Sequence, residues 1–381
     1  GVSVDLGGGM LAEGKAIYAV APSRTLTPAW VRLNRPSQLH AAHHGAGVIY
    51  VTRGDMAAAL GPLVAARKAE GLAPMVVDIE DVYDEFSYGS PTPAALRAFF
   101  HRATTSWSRP PQYFVLAGDG SYDPRGYLGR APDVIPVALV DTSVFETASD
   151  EWFVDFDGDG VGDAAIGRLP AASAAELATM VDKILRYQQG NRSAKRALLV
   201  ADDPLAEAFS RVNDGLAALL PAGTAIERVD VETEGVAGAR AHLLGELAEG
   251  YNLVHYSGHG TVDRWRHGLL TVADVPTLPV TETVAFYTMA NCLSGIFQEP
   301  LLAGLGEELM RASGGAAAVW ASTGSTSAPP QERLLTQFFS QMGGGVPVRA
   351  GDAVRAAKSA ISEQDVRMTW VLLGDPAMPL W

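Results

Sequence analysis

The sequence predicts an α/β fold: a largely parallel sheet covered by helices on both faces. Three observations point there. Apolar runs of strand length alternate with helical patterns over most of the 381 residues, which is what successive βαβ crossovers produce. The composition, 48% hydrophobic and 19% charged, provides for a sizeable buried core. No run approaches the ~18 consecutive apolar residues that a bilayer-crossing helix needs, so no membrane span is expected.

Taken in order, candidate strands fall at 16–20, 48–52, 75–79, 113–117, 135–140, 197–201, 226–231, 253–257, 284–289 and 316–321. Helical patterns lie between them. One covers 55–70 and is closed by Gly71; another covers 92–107, where Pro93 suits a first turn. The clearest helix start is Ser173-Ala-Ala-Glu176, a capping box ahead of Leu177, Met180, Val181, Ile184 and Leu185, with Gly190 as its stop. Residues 188–193 are polar and aperiodic, and alternation restarts at Arg196. Ten strands exceed one small sheet, so two α/β subdomains are expected, 16–192 and 193–381. Residues 1–15 read as the tail of a preceding module.

The net charge of −14, with no Lys/Arg cluster, argues against a phosphate-backbone partner, so nucleic acid is not expected. The single cysteine, Cys292, excludes an intrachain disulfide framework and a Cys-rich metal site. The chain opens at Gly1, which reads as a processing start with targeting information upstream.

Two strand ends carry the chemistry. Tyr251-Asn-Leu-Val-His-Tyr-Ser-Gly-His259-Gly260 reads as a buried strand ending in a glycine-flanked histidine, at the strand edge where α/β sheets bind ligands. Thr283-Val-Ala-Phe-Tyr-Thr-Met-Ala-Asn delivers Cys292 in the same way. One crossover fits between the two, so adjacent parallel strands would bring thiol and imidazole together, as a nucleophile and its proton donor. His255 and His259 are four apart, but on a strand that spacing is some 13 Å, too far to share a zinc; His255 reads as a core or sheet-lining residue. His40, His43 and His44 read as solvated loop.

Asp155-Phe-Asp157-Gly-Asp159-Gly160-Val-Gly-Asp163 sets oxygens at loop positions 1, 3, 5 and 9 with glycine at 6, the pattern of a calcium loop. Ile166 stands at position 12 in place of the bidentate glutamate, leaving Asp150 or Glu151 as a further ligand. The alternative is an acidic turn. Since the loop is far in sequence from Cys292, calcium is expected to act on stability first and on activity only as a consequence.

The chain resembles the gingipain-type cysteine peptidases, which have a caspase-like fold. The resemblance rests on Asp81-Val-Tyr-Asp-Glu-Phe86, Leu116-Ala-Gly-Asp-Gly-Ser-Tyr-Asp-Pro124, Ala165-Ile-Gly-Arg-Leu-Pro170, Tyr256-Ser-Gly-His259-Gly260, Ala290-Asn-Cys292 and Leu373-Gly-Asp-Pro-Ala377, in the family's order. It implies a caspase-like unit of two subdomains, each with a mostly parallel sheet, and endopeptidase action on protein or peptide substrates. It also implies structural Ca2+, secretion or surface display of bacterial type, and further domains of a longer precursor. Residue by residue, it makes Cys292 the nucleophile, His259 the general acid/base, and the backbone N–H groups of Gly260 and Cys292 the oxyanion hole. Asp202 would orient His259, with Asp203 as the fallback, and Ser257, Gly258, Ser322 and Thr323 would bind substrate. The likeness fails at the specificity pocket. The place of the acid that selects arginine falls near 207–209 and that of the aromatic wall near 327–328, where there is no Trp, so basic specificity does not carry over.

Two other readings stay open at this point: a sortase-like transpeptidase using the same dyad, and a non-catalytic, calcium-dependent adhesive or assembly module.

Overall fold

Among the described residues there are fourteen strands: β1 Val48–Thr52, β2 Pro74–Asp78, β3 Tyr113–Ala117, β4 Leu139–Asp141, β5 Glu146–Ala148, β6 Ala165–Leu169, β7 Arg196–Ala201, β8 Ala225–Asp230, β9 Leu253–Ser257, β10 Phe286–Ala290, β11 Ala318–Ser322, β12 Val348–Arg349, β13 Trp370–Leu373 and β14 Pro379–Leu380. The computed structural model describes residues 20–25, 27, 36–129, 133–190, 195–204, 208–344 and 347–380. Residues 37–381 form one compact unit and residues 1–36 a separate one, of which a 3-10 turn at Pro22–Arg24 is described. The expected strand at 16–20 and the 192/193 boundary fall almost wholly on residues outside the described set.

Ten strands form one sheet in the order β2-β1-β3-β6-β13-β11-β10-β9-β7-β8. The two expected half-sheets are therefore the flanks of a single sheet. The strand that joins them, β13, pairs parallel to β6 and antiparallel to β11, so the two flanks run in opposite directions. It follows that the acidic loop leading into β6 and the loops leaving β9, β10 and β11 emerge at one edge. β1, β3, β6, β9 and β11 are buried along their whole length, and β1, β3 and β11 accordingly read as largely apolar runs. The outermost strands β2 and β8 are partly exposed.

Helix starts follow local chemistry. Thr92 Oγ1 accepts the Ala95 N–H at 3.3 Å, with Pro93 opening the helix Pro93–Ser106. Ser173 Oγ accepts the Glu176 N–H at 3.3 Å, and the Glu176 carboxylate takes the Ala172 N–H at 2.9 Å, starting the helix Ala174–Gly190. The pattern over 55–70 is a 3-10 turn, Ala57–Leu60, running into the helix Gly61–Ala69.

The segment 135–140 is not a sheet strand. Pro136 has no N–H to give a ladder, and the Ile135 and Pro136 carbonyls accept instead from the buried Arg168 guanidinium. Only Leu139–Asp141 is extended, in a hairpin with β5. Arg168 is also the reason β6 escapes a hydrophobicity reading: a charged residue and Gly167 interrupt its short run. Asp150 holds that guanidinium with bonds of 2.7 and 2.9 Å. A second buried pair closes the fold, where Asp375 accepts from Arg67 at 2.9 Å and from Tyr50 at 3.0 Å. The motifs at 165–170 and 373–377 thus serve the fold.

Candidate active site

β9 and β10 pair in parallel with Ser257 opposite Ala290. His259 and Cys292 each lie two residues beyond that pair, on strands about 4.8 Å apart. Gly258 stays on the ladder by donating to the Ala290 carbonyl at 3.1 Å. Both glycines around His259 are required by close approach. A Cβ on Gly258 would collide with the Tyr256 ring and Asp202, and one on Gly260 with the Asn291 amide.

The backbone of His259 is fixed on both sides. Its N–H donates to Asp202 Oδ2 at 3.1 Å, while its carbonyl accepts from the Tyr256 hydroxyl at 2.7 Å and the Arg266 N–H at 2.8 Å. Tyr256 is itself stacked on Trp265, ring centroids 4.2 Å apart. The edge-to-face contact of the imidazole with Phe209, at 5.5 Å, borders the ring. Gly260 bridges to Trp265, and the bonds around that bridge run from Thr261 to Arg264 and from Arg266 to His259. This is a non-hydrogen-bonded antiparallel pair, so the N–H of Gly260 points away from Trp265.

Cys292 sits on a tight turn. The Ser294 N–H returns to the Cys292 carbonyl at 2.9 Å across Leu293, a leucine at φ 68°. A branched residue in the left-handed region is strained and persists because its surroundings hold it. Here the Leu293 N–H is bound by the Gly324 carbonyl, and the buried Asn291 amide donates to Ser294 Oγ at 2.7 Å. The sulfur is half-buried, 3.5 Å from the Thr326 carbonyl and 3.9 Å from Ser325 Oγ.

Asp202 is fully buried, and burial pushes its carboxyl up against the opposing pull of the His259 N–H and Arg266. Its contact is with the main chain of His259, so it fixes the loop that carries the imidazole. Asp203 lies beside it, and its carboxylate is 2.6 Å from Arg266 and 3.1 Å from His267, both of which also approach Asp202, at 3.6 and 3.8 Å; desolvation raises the Asp203 carboxyl, but His267, Arg266 and the bond with Asp202 together lower it. Ser257 and Gly258 lie at the site. Ser322 and Thr323 do not face it: both are fully buried, with Ser322 Oγ on Thr369 Oγ1 at 3.0 Å and Thr323 Oγ1 donating to the Ala148 carbonyl at 2.7 Å. Residues pointing inward at the end of a central strand can only serve the scaffold, and the groups beside the sulfur come two residues later. Sequence reasoning missed Ser325, Thr326 and Phe209, which carry no motif. Glu207, in the segment where an arginine-selecting acid was sought, lies outside the described residues.

Two hollows lie near the strand ends that carry His259 and Cys292. One, about 200 Å³, is bordered by Ser257, Ala290 and Phe209. The other, about 520 Å³, runs from Ser325 and Thr326 to the hairpin tip at Ser143 and the residues 363–366.

His255 is the sheet-lining residue expected. It is wholly buried between Thr288 Oγ1 at 2.7 Å and Ser257 Oγ at 2.8 Å, and burial drives its pKa down to about 3. His40 is exposed, with Nδ1 2.8 Å from Glu85.

Carboxylate oxygens of Asp155, Asp157 and Asp159 lie within 4.8 Å of one another. Asp155 is held by the N–H groups of Gly158 and Gly160 at 2.8 and 3.0 Å, both glycines having positive φ. Asp163 is outside this group and accepts the Phe156 N–H at 3.0 Å. The proposed supplements are committed elsewhere, Asp150 to Arg168 and Glu151 to Lys358. The loop is tied to the helix that borders the larger hollow. Arg367 donates to the Asp159 carbonyl at 2.7 Å, and its helix, Gln364–Thr369, begins with residues lining the larger hollow.

A family model described as peptidase family C25 matches residues 41–381. The fold is similar to that in the crystal structure of the Arg-specific cysteine proteinase gingipain R, with a TM-score of 0.72 and 20% identity, over 91% of this chain and 80% of that one. It is likewise similar to a complex of the pro- and mature domains of that enzyme from Porphyromonas gingivalis, with a TM-score of 0.73 and 19% identity, over 87% and 79% of the two chains. No curated protein matches the chain.

Proposed function

The chain belongs to peptidase family C25, the gingipain family of cysteine-type endopeptidases, and from that premise we propose that it cleaves peptide bonds with Cys292 and His259. His259 takes the thiol proton, and the sulfur attacks the scissile carbonyl. The oxyanion that forms is met by the N–H groups of Gly260 and Cys292. The imidazolium then gives its proton to the departing amine, leaving a thioester, and with His259 as base, water hydrolyses it and frees the thiol. The observation that carries this reading is the register of Ser257 with Ala290, from which both residues project two positions beyond a shared strand edge. Asp202 is a positioning residue, acting through the His259 main chain.

Cys292→Ala tests the assignment. Hydrolysis of a fluorescent protein substrate should vanish while the melting temperature holds, because a small apolar side chain suits the strand end. Turnover by a clean preparation of this variant would overturn the reading.

We propose further that Asp155, Asp157 and Asp159 hold calcium, the hard cation their oxygen density suits. Their fit is supported by the converging carboxylates and by the left-handed glycine Gly160 at the sixth loop position. The family premise also supports secretion or surface display and further domains of a longer precursor. Among the described residues no helix is long and apolar enough to cross a membrane.

A further inference from the structure

The two groups proposed to meet the oxyanion, the N–H groups of Gly260 and Cys292, stand on different loops. The β9–β10 ladder that aligns those loops ends at Ser257 and Ala290, with one further bond from the Gly258 N–H to the Ala290 carbonyl. Past that point the two backbones are held in relation by something other than the sheet. A misplacement of about 1 Å at such a site can cost about 100-fold in rate.

The links that hold them are polar and run from loop to loop. Asn291, next to Cys292, packs its amide against Gly260: a Cβ on that glycine would come within 1.9 Å of Asn291 Nδ2. The same nitrogen donates to Ser294 Oγ at 2.7 Å, and Ser294 Oγ donates to the Thr261 carbonyl at 3.4 Å. One chain of amide, hydroxyl and carbonyl therefore spans from the residue before Cys292 to the residue after Gly260. The short helix Leu305–Arg311 fastens the neighbouring backbone, its Leu305 N–H on the Val262 carbonyl at 2.8 Å and its Gly306 N–H on the Ser294 carbonyl at 3.0 Å. Asn291 and Ser294 are both fully buried, so they act on the site through the backbones of Gly260 and Cys292.

Resting on the Cys292–His259 reading, we infer that Asn291 and Ser294 are positioning residues that set the spacing of the two oxyanion donors. Such donors stabilise charge without reorganisation only when they are already aimed at the place where it develops. A clasp that fixes them acts when the carbonyl oxygen becomes an oxyanion, and it leaves ground-state binding of the peptide alone. It also works as a unit: without Asn291 or Ser294 the chain of bonds to Thr261 is open.

The test uses Ser294→Ala and Asn291→Ala in the full chain. Each should lower kcat/KM for a quenched-fluorescent peptide that the parent cleaves by at least about tenfold. The Kd of the same peptide, measured with each substitution added to Cys292→Ala, should stay at the value for Cys292→Ala alone. Iodoacetamide should alkylate Cys292 at the parent rate, because alkylation forms no oxyanion. The double variant should lose about as much as the worse single one, since members of one network do not add. Turnover within about twofold of the parent in either folded single variant overturns the inference. So does a fall in alkylation rate or peptide affinity in step with kcat/KM, which marks a merely structural role, or a double variant whose losses multiply. Failure of both single variants to fold would assign the pair to the scaffold and overturn it as well. Parent-like turnover by Ser294→Ala refutes this inference alone, whereas turnover that survives Cys292→Ala refutes the dyad beneath it.

Discussion

The two flanks of the sheet are built alike and used differently. Both are parallel, both are buried on two faces, and in both the conspicuous polar residues lie in or just beyond the strands. In the first flank those residues are consumed by one another: Arg168 by Asp150 and three carbonyls, and Arg67 by Asp375, all fully or almost fully buried. In the second flank Cys292 and His259 are half-buried beside two hollows, with the strained Leu293 next to the sulfur. The difference teaches how to sort motifs of equal prominence. A polar group whose partners are complete and dry serves the fold; one held by its main chain at an open edge is the one to propose for chemistry.

The sharpest way to break this comparison is to cut a pair in the first flank. Asp150→Ala leaves the Arg168 guanidinium buried without its carboxylate, and breaking a buried pair from one side costs roughly 3–5 kcal/mol. Urea unfolding should show a loss of that size. At a temperature where the variant remains folded, the rate of Cys292 alkylation by iodoacetamide should match the parent. A large change in thiol reactivity with little change in stability would mean that the first flank takes part in the chemistry.

The same distinction explains what could be read from sequence. The strands at 48–52 and 113–117 are almost wholly apolar runs, and they and the strand at 253–257 are found where expected. β6 was hidden because Arg168 looks like a surface residue until Asp150 is seen beside it. Segment 135–140 looked like a strand because the fate of its carbonyls depends on that same arginine. The site followed a similar rule. The placing of His259 and Cys292 just beyond two adjacent strand ends was legible because glycines and strand ends leave local signatures. Ser325 and Thr326 were not, since only the pairing of β11 with β10 brings them to the sulfur. Asp202 was named only through the resemblance, by its place after β7, and its contact with the His259 main chain is a tertiary fact.

The acidic loop tests the comparison from the other side, as a first-flank element that reaches the second. If calcium binds Asp155, Asp157 and Asp159, it stabilises the native state by RT ln(1 + [L]/Kd), about 2.7 kcal/mol at a hundredfold excess. The melting temperature should rise with calcium, and magnesium should substitute poorly because it demands tighter octahedral geometry. Sequence separation alone suggested that activity would follow stability. The bond from Arg367 to Asp159, and the helix it belongs to, alter that expectation. EDTA should also lower kcat/KM well below the melting range, for peptides long enough to enter the larger hollow more than for short ones. An Asp157→Ala, Asp159→Ala variant that calcium stabilises as fully as the parent would place the ion elsewhere.

The smallest expected effect lies inside the second flank and shows that it, too, has a purely structural histidine. His255 is two strand positions before Ser257, enclosed by Thr288, Ser257 and the Phe339 ring. Burial lowers its pKa to about 3, against about 6.5 in an unfolded chain. Between those values the unfolded state binds a proton that the folded state refuses, so stability from this group is complete above about pH 6.5 and is lost as pH falls toward 3. The slope is about 1.4 kcal/mol per pH unit for one proton. His255→Gln keeps hydrogen-bonding capacity and removes the titration. Measured by urea unfolding at pH 7 and pH 4.5, the parent should lose more stability than this variant by about 2–3 kcal/mol, the product of that slope and the two units below 6.5. Equal losses would mean that His255 takes up a proton in the folded state, against the burial that lowers its pKa, and would make it a candidate for the proton traffic proposed for His259.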